Sequence, residues 1–115
     1  MVYDKANELA RELSSSPEYQ EYQKTREKAF ANDTTKALIK EYHQLQIKAQ
    51  SAVMAGQKDD ETLERLQKIG EVLQLNQDAS AFLLAEFRLN RMLGDVYKIL
   101  AEAIDVDLGM FEDGQ

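Results

Sequence analysis

Only one proline and five glycines interrupt these 115 residues, and that scarcity of helix breakers is what most limits the folds open to the chain. Proline removes an amide donor and glycine costs backbone entropy inside a helix, so long stretches without either can run as unbroken helix. Ala, Leu, Glu, Gln and Lys are abundant between those positions. No segment alternates apolar and polar residues as a half-buried strand would. The expected class is all-α, and a chain this long fits one domain with a real core.

Local signals divide the chain into about five helices. Val2, Ala6, Leu9, Ala10 and Leu13 recur at helical spacing and predict a short amphipathic helix over about 2–13. Ser16, Pro17 and Glu18 form a start signal: a hydroxyl to cap free amides, a proline where no N–H is needed, and an acid at the positive helix end. The second helix then runs to about Ala31. Asp33 or Thr34 can cap a third, in which Leu38, Tyr42, Leu45, Ala49 and Ala52 or Val53 repeat in steps of four and three, the pattern of a seam. Gly56 stops it after Ala55. The short polar link to Asp60 predicts an antiparallel hairpin with a fourth helix, capped by Asp59 or Asp60 and carrying Leu63, Leu66, Ile69, Val72, Leu73 and Leu75. At Asn76-Gln77-Asp78 the pattern weakens. Asp78 can cap a last, long helix from Ala79 to about Ile104, although Val72, Leu75, Ala79 and Phe82 keep helical spacing through the break and allow one kinked helix. The helical domain is expected to fill residues 1–104. Residues 105–115 hold Asp105, Asp107, Glu112 and Asp113 with no base, and read as an acidic, frayed tail.

The last helix is the most informative surface. At about 100° per residue, Arg88, Arg91, Asp95, Lys98 and Glu102 form a narrow mixed-charge stripe stitched by pairs three and four apart. The opposite side carries Phe82, Ala85, Leu89, Met92, Leu93, Val96, Ile99, Leu100, Ala103 and Ile104 over roughly 160°, wider than the ~100° one globular face needs. Of these, Phe82, Leu89, Met92, Leu93, Val96, Ile99 and Leu100 are the candidate self-association or partner surface. A homodimer or higher homo-oligomer is expected, together with a further protein partner that the sequence does not identify. Glu86 falls inside the apolar arc, where a carboxylate needs a partner. Arg26, among Tyr19, Tyr22 and Phe30 on the second helix, is the candidate for a structural ion pair with it that sets register.

Chemistry-bearing patterns are missing. With no cysteine there is no disulfide, thiolate nucleophile or thiolate metal site. A four-helix carboxylate metal site needs Glu-x-x-His on two helices. The single histidine, His43, has Lys40 three residues before it. The serines at 14–16 read as capping residues, and the isolated glycines match no phosphate loop. No catalytic residue, metal ligand or cofactor is expected, so the chain reads as a non-enzyme. No apolar run approaches the ~20 residues of a membrane span, no leading basic and apolar stretch resembles a signal peptide, and the cytoplasm is the expected compartment. A net charge of −7 opposes polyanionic nucleic acid. Lys36, Lys40 and Lys48, with Arg26 and Lys28, offer a modest basic patch. It leaves an RNA-binding accessory protein as the alternative reading.

Several of these residues in order carry a family resemblance. The Ser16-Pro17-Glu18-Tyr19 start, the Asn32-Asp33 break before the long helix, and Ala85-Glu86 with Leu89 and Asn90 in the last helix resemble the YlbF/YmcA family of small helical bacterial proteins. The resemblance covers nearly the whole chain apart from the tail. It implies a self-associating regulator in the control of competence, sporulation or biofilm formation. Some members belong to a complex that modulates an endoribonuclease acting on mRNA and hold an iron–sulfur cluster through cysteines. This chain has no cysteine, so the cluster does not carry over.

Overall fold

The computed structural model describes residues 1–105. Its helices are α1 (Val2–Ser14), α2 (Pro17–Phe30), α3 (Asp33–Met54), α4 (Asp60–Leu75) and α5 (Gln77–Ala103), and the described residues contain no strand. The all-α expectation holds, and the question at residue 76 is answered by two separate helices. The acidic tail expected over 105–115 lies outside the described residues beyond Asp105. The chain divides into two compact units, residues 1–22 with the part of α5 from Ala85 onward, and residues 23–84.

The unit formed by residues 23–84 is built on the α3–α4 hairpin. Its turn follows from Gly56, whose φ of +70° lies in the left-handed region open to glycine at little cost. The Gly56 amide donates to the Val53 carbonyl at 3.0 Å and the Gln57 amide to the Ala52 carbonyl at 2.8 Å. That Schellman pairing satisfies the last carbonyls of α3 and turns the chain back. Asp59 then starts α4, its Oδ1 accepting from the Thr62 amide at 3.1 Å and its Oδ2 from the Thr62 hydroxyl at 2.6 Å. Further along the seam, Arg65 donates to Glu41 through Nε at 3.0 Å and an Nη at 3.2 Å, an exposed two-point pair.

Two caps differ from the expected ones. α3 is capped by Asn32, whose Oδ1 accepts from the Thr35 amide at 3.0 Å, and not by Asp33 or Thr34. Asn32 has the extended backbone a cap residue requires, whereas Asp33 is already helical. α5 is capped by Asn76, whose Oδ1 accepts from the Ala79 amide at 3.0 Å; Asp78 sits inside the first turn. The same Asn76 side chain donates through Nδ2 to the Thr35 hydroxyl at 3.1 Å. One amide thus ties the end of α4 and the start of α5 to the start of α3.

Ile39 from α3 and Ile69 and Leu73 from α4 are buried, with Ala29, Ala79 and Phe82. Full burial of a side chain such as Ile39 or Phe82 stabilises by about 1.5–3 kcal/mol each. Val72, half exposed, and Leu75, 90% exposed, share the apolar pattern of α4 but lie off this core.

In the other unit, the Ser16 hydroxyl both donates to the Leu13 carbonyl at 2.6 Å and accepts from the Tyr19 amide at 3.2 Å. It closes α1 and opens α2, as the start signal implied. α1 has Leu9 and Leu13 half-buried and no fully buried residue.

Candidate functional site

The apolar stripe of α5 changes character along its length. Phe82 is 1% exposed: the Phe30 ring meets it edge-on with centroids 5.5 Å apart and the His43 ring lies 6.5 Å away. Phe82 therefore belongs to the interior and is removed from the expected partner surface, because it is buried with Phe30 of α2 and His43 of α3 against it. Leu89, Met92, Leu93 and Val96 are half-buried, and Ile99 and Leu100 are 66% and 53% exposed. Ile104 just beyond is 72% exposed. The stripe that begins as core ends in solvent, at residues whose spacing of three and four still defines one helical face.

Among residues 23–84 a second feature escaped the sequence reading. An open groove of about 550 Å³ runs along α4, with Leu63, Leu66 and Gly70 on one side, Leu83 and Leu84 of α5 on the other, and Tyr42 of α3 between. Gly70 lets Tyr42 pack close against α4, since a Cβ at that position would stand 3.4 Å from the Tyr42 Cε1. Leu63 and Leu84 are each half exposed on the groove's walls. The signal that could have found it is an isolated glycine in mid-helix, on the turn between Leu66 and Leu73, where an alanine would suit the helix better.

Arg26, the expected partner of Glu86, has its guanidinium carbon 4.7 Å from the centroid of the Phe30 ring. The Lys36 ammonium lies 5.9 Å from the same centroid. Both cations thus use the aromatic face. Of the basic-patch residues, this brings Arg26 and Lys36 to one ring. Asp59 and Arg65 are each shifted by a hydrogen-bonded neighbour. The hydroxyl and amide of Thr62 hold the Asp59 carboxyl below the usual carboxylate range, and the Glu41 carboxylate raises Arg65 further. Both belong to the architecture of the hairpin. Among the described residues, no group of three or more His, Asp or Glu gathers as a metal site, and no helix is long and apolar enough to cross a membrane.

The arrangement therefore presents two apolar features: an emerging stripe on α5 and a walled groove along α4. Comparison with known proteins finds bacterial relatives over nearly the whole chain. A UPF0342 protein of Symbiobacterium thermophilum is 40% identical over 108 residues, covering 93% of this chain and 96% of its own length. One from Clostridium tetani is 39% identical over 108 residues, covering 93% of each. A solved structure described as a protein of unknown function (DUF964) from Bacillus stearothermophilus superposes with a TM-score of 0.75 at 16% identity, over 90% of this chain and 92% of that one, a likeness of fold alone. Residues 2–105 match the family described as control of competence regulator ComK, YlbF/YmcA. The match spans all five helices, and the chain belongs to the YlbF/YmcA family.

Proposed function

We propose that this protein is a non-enzymatic cytoplasmic regulator that acts by self-association and by contact with another protein, in the control of competence, development or biofilm formation. The observation that carries the reading is the run-out of the α5 stripe. Leu89, Met92, Leu93 and Val96 continue into Ile99, Leu100 and Ile104, three large apolar side chains each more than half exposed. Apolar surface left on one face of a helix is stabilised when a partner covers it. The family to which the chain belongs is named for a competence regulator, and that supports the regulatory half of the reading.

Sedimentation of the full chain tests it. The expected result is a dimer or larger species that Leu100→Glu converts to monomer while helicity persists, since a charge placed in a desolvated contact leaves it uncompensated. A wild-type chain that stays monomeric at its solubility limit refutes self-association. Arg26 and Glu86 are proposed as a structural pair. A double-mutant cycle with coupling near zero refutes that. A second reading, RNA binding, draws on Arg26 and Lys36 at the Phe30 ring; retention of labelled RNA that weakens with salt would support it.

A further inference from the structure

The outward side of α3 carries a surface unlike the rest of this acidic chain. Lys40, Gln44, Ile47, Ser51 and Met54 follow one another down one face of the helix, and all of them are exposed. Ile47 and Met54 are 66% and 58% exposed. Lys36 continues the row at its N-terminal end, where its ammonium lies 5.9 Å from the centroid of the Phe30 ring. No carboxylate interrupts the row. Glu41, the one acid between Lys36 and Met54, stands to its side and is held by Arg65 at 3.0 and 3.2 Å. The face is therefore cationic at one end and apolar at the other, in a chain whose net charge is −7.

That division selects an occupant by its chemistry. A polyanion such as RNA would meet the two lysines and leave Ile47 and Met54 uncovered. A segment that joins acids to large apolar residues satisfies both ends. The chain encodes such a segment. Val106, Leu108, Met110 and Phe111 are large and apolar, Asp107, Glu112 and Asp113 are acids, and residues 99–115 contain no base. Its order also matches. The apolar residues come first and the adjoining acids Glu112 and Asp113 follow, so a segment laid antiparallel to α3 brings those acids to Lys40 and Lys36 and its apolar part to Ile47 and Met54. The opposite direction would set the two acids on Met54. An extended stretch from Val106 to Asp113 reaches about 24 Å, close to the roughly 27 Å that α3 rises between Lys36 and Met54.

We propose that residues 106–113 of a second copy dock antiparallel along the outward face of α3. The segment follows directly on Ile104, where the exposed stripe of α5 ends. In the self-association reading, on which the proposal rests, that stripe is covered by another copy, so the residues leaving it emerge against the other copy's surface. Reciprocal docking gives two equivalent contacts and closes a two-fold dimer.

The chain has no tryptophan and no cysteine, so one of each can serve as a unique reporter. Phe111→Trp is placed in one full-length chain and Ser51→Cys, carrying a nitroxide that quenches indole fluorescence on close approach, in another. In an equal mixture the emission is expected to fall by about half, because random exchange seats half of the indoles on labelled copies. A nitroxide on Gln67→Cys, exposed on α4, should leave the emission unchanged. Adding Lys40→Glu to the Ser51-labelled chain should weaken the contact about fivefold by turning attraction into repulsion, and Ile47→Asp should abolish the quenching. Both positions are exposed, so the fold itself tolerates the changes. Sedimentation of the same samples separates the two claims. A dimer whose indole stays unquenched in the mixture overturns the docking and leaves self-association standing, while a monomer overturns both. Quenching within a single chain that carries both reporters, with none in the mixture, also overturns the proposal, since the segment then lies on its own chain.

Discussion

Replacing Asn76 with alanine tests how the junction between α4 and α5 is held. Two bonds are lost. The Oδ1 cap on the Ala79 amide at 3.0 Å is an N-cap of the kind whose loss costs about 1 kcal/mol. The Nδ2 bond, in which the Thr35 hydroxyl oxygen accepts at 3.1 Å, contributes about 1 kcal/mol net, the usual value for one intramolecular hydrogen bond. The expected destabilisation is therefore about 2 kcal/mol. At a urea dependence of about 1.5 kcal/mol per molar, the midpoint should fall by roughly 1.3 M. Asn76→Ser separates the two contributions. Serine caps as well as asparagine but is too short to reach Thr35, so it should cost about 1 kcal/mol. Circular dichroism at 222 nm during urea titration provides the measurement. The reasoning fails if serine costs as much as alanine, or if alanine costs less than about 0.5 kcal/mol, the range of an ordinary surface change.

Glycine positions give opposite signs within one fold. Gly94→Ala in α5, with nothing within 4 Å of the new Cβ, should stabilise by about 1 kcal/mol in the same titration. Gly56→Ala, at φ +70°, should destabilise by about 1 kcal/mol or more. Phe82→Ala should cost about 3–5 kcal/mol, while the exposed Ile99→Ala should leave the unfolding midpoint of a dilute, dissociated sample within about 0.5 kcal/mol of wild type. Because the Asp59 carboxyl is held below its ordinary value, its contribution to stability is fully present above about pH 4 and is lost as pH falls through the lowered value. Acid titration of Asp59→Asn should show a shallower loss over that window than wild type, and equal slopes would contradict the assignment.

The order and extent of the helices were legible because their punctuation is local. Ser16, Gly56 and Asp59 act within a few residues of themselves. The caps at 32 and 76 were not. In Asn32-Asp33-Thr34 and in Asn76-Gln77-Asp78 several side chains can each accept an amide, and the choice depends on where the chain leaves the preceding helix. At Asn76 it also depends on Thr35, 41 residues earlier. The candidate surface suffered a related ambiguity. Leu63 and Ile69 have equal standing in the apolar pattern of α4, yet one is half exposed and the other 3% exposed. Phe82 is covered by Phe30 and His43, which periodicity along α5 cannot reveal. The groove is lined by Tyr42 of α3, by Leu63, Leu66 and Gly70 of α4 and by Leu83 and Leu84 of α5, contributions from three helices that no single window of sequence contains.

The turn at Gly56 has a kinetic consequence. Only residues 55–59 separate α3 from α4, so closing that loop costs far less chain entropy than bringing together helices distant in sequence, and the hairpin's contacts are local ones. The hairpin is therefore expected to serve as the folding nucleus. Conservative truncation of Ile39 or Ile69, on its facing helices, then slows refolding in proportion to the stability lost. Truncation of Val96, near the far end of α5, chiefly accelerates unfolding. The part of the molecule expected to order last is the apolar end of α5, which would then spend the longest time accessible to a second chain during folding.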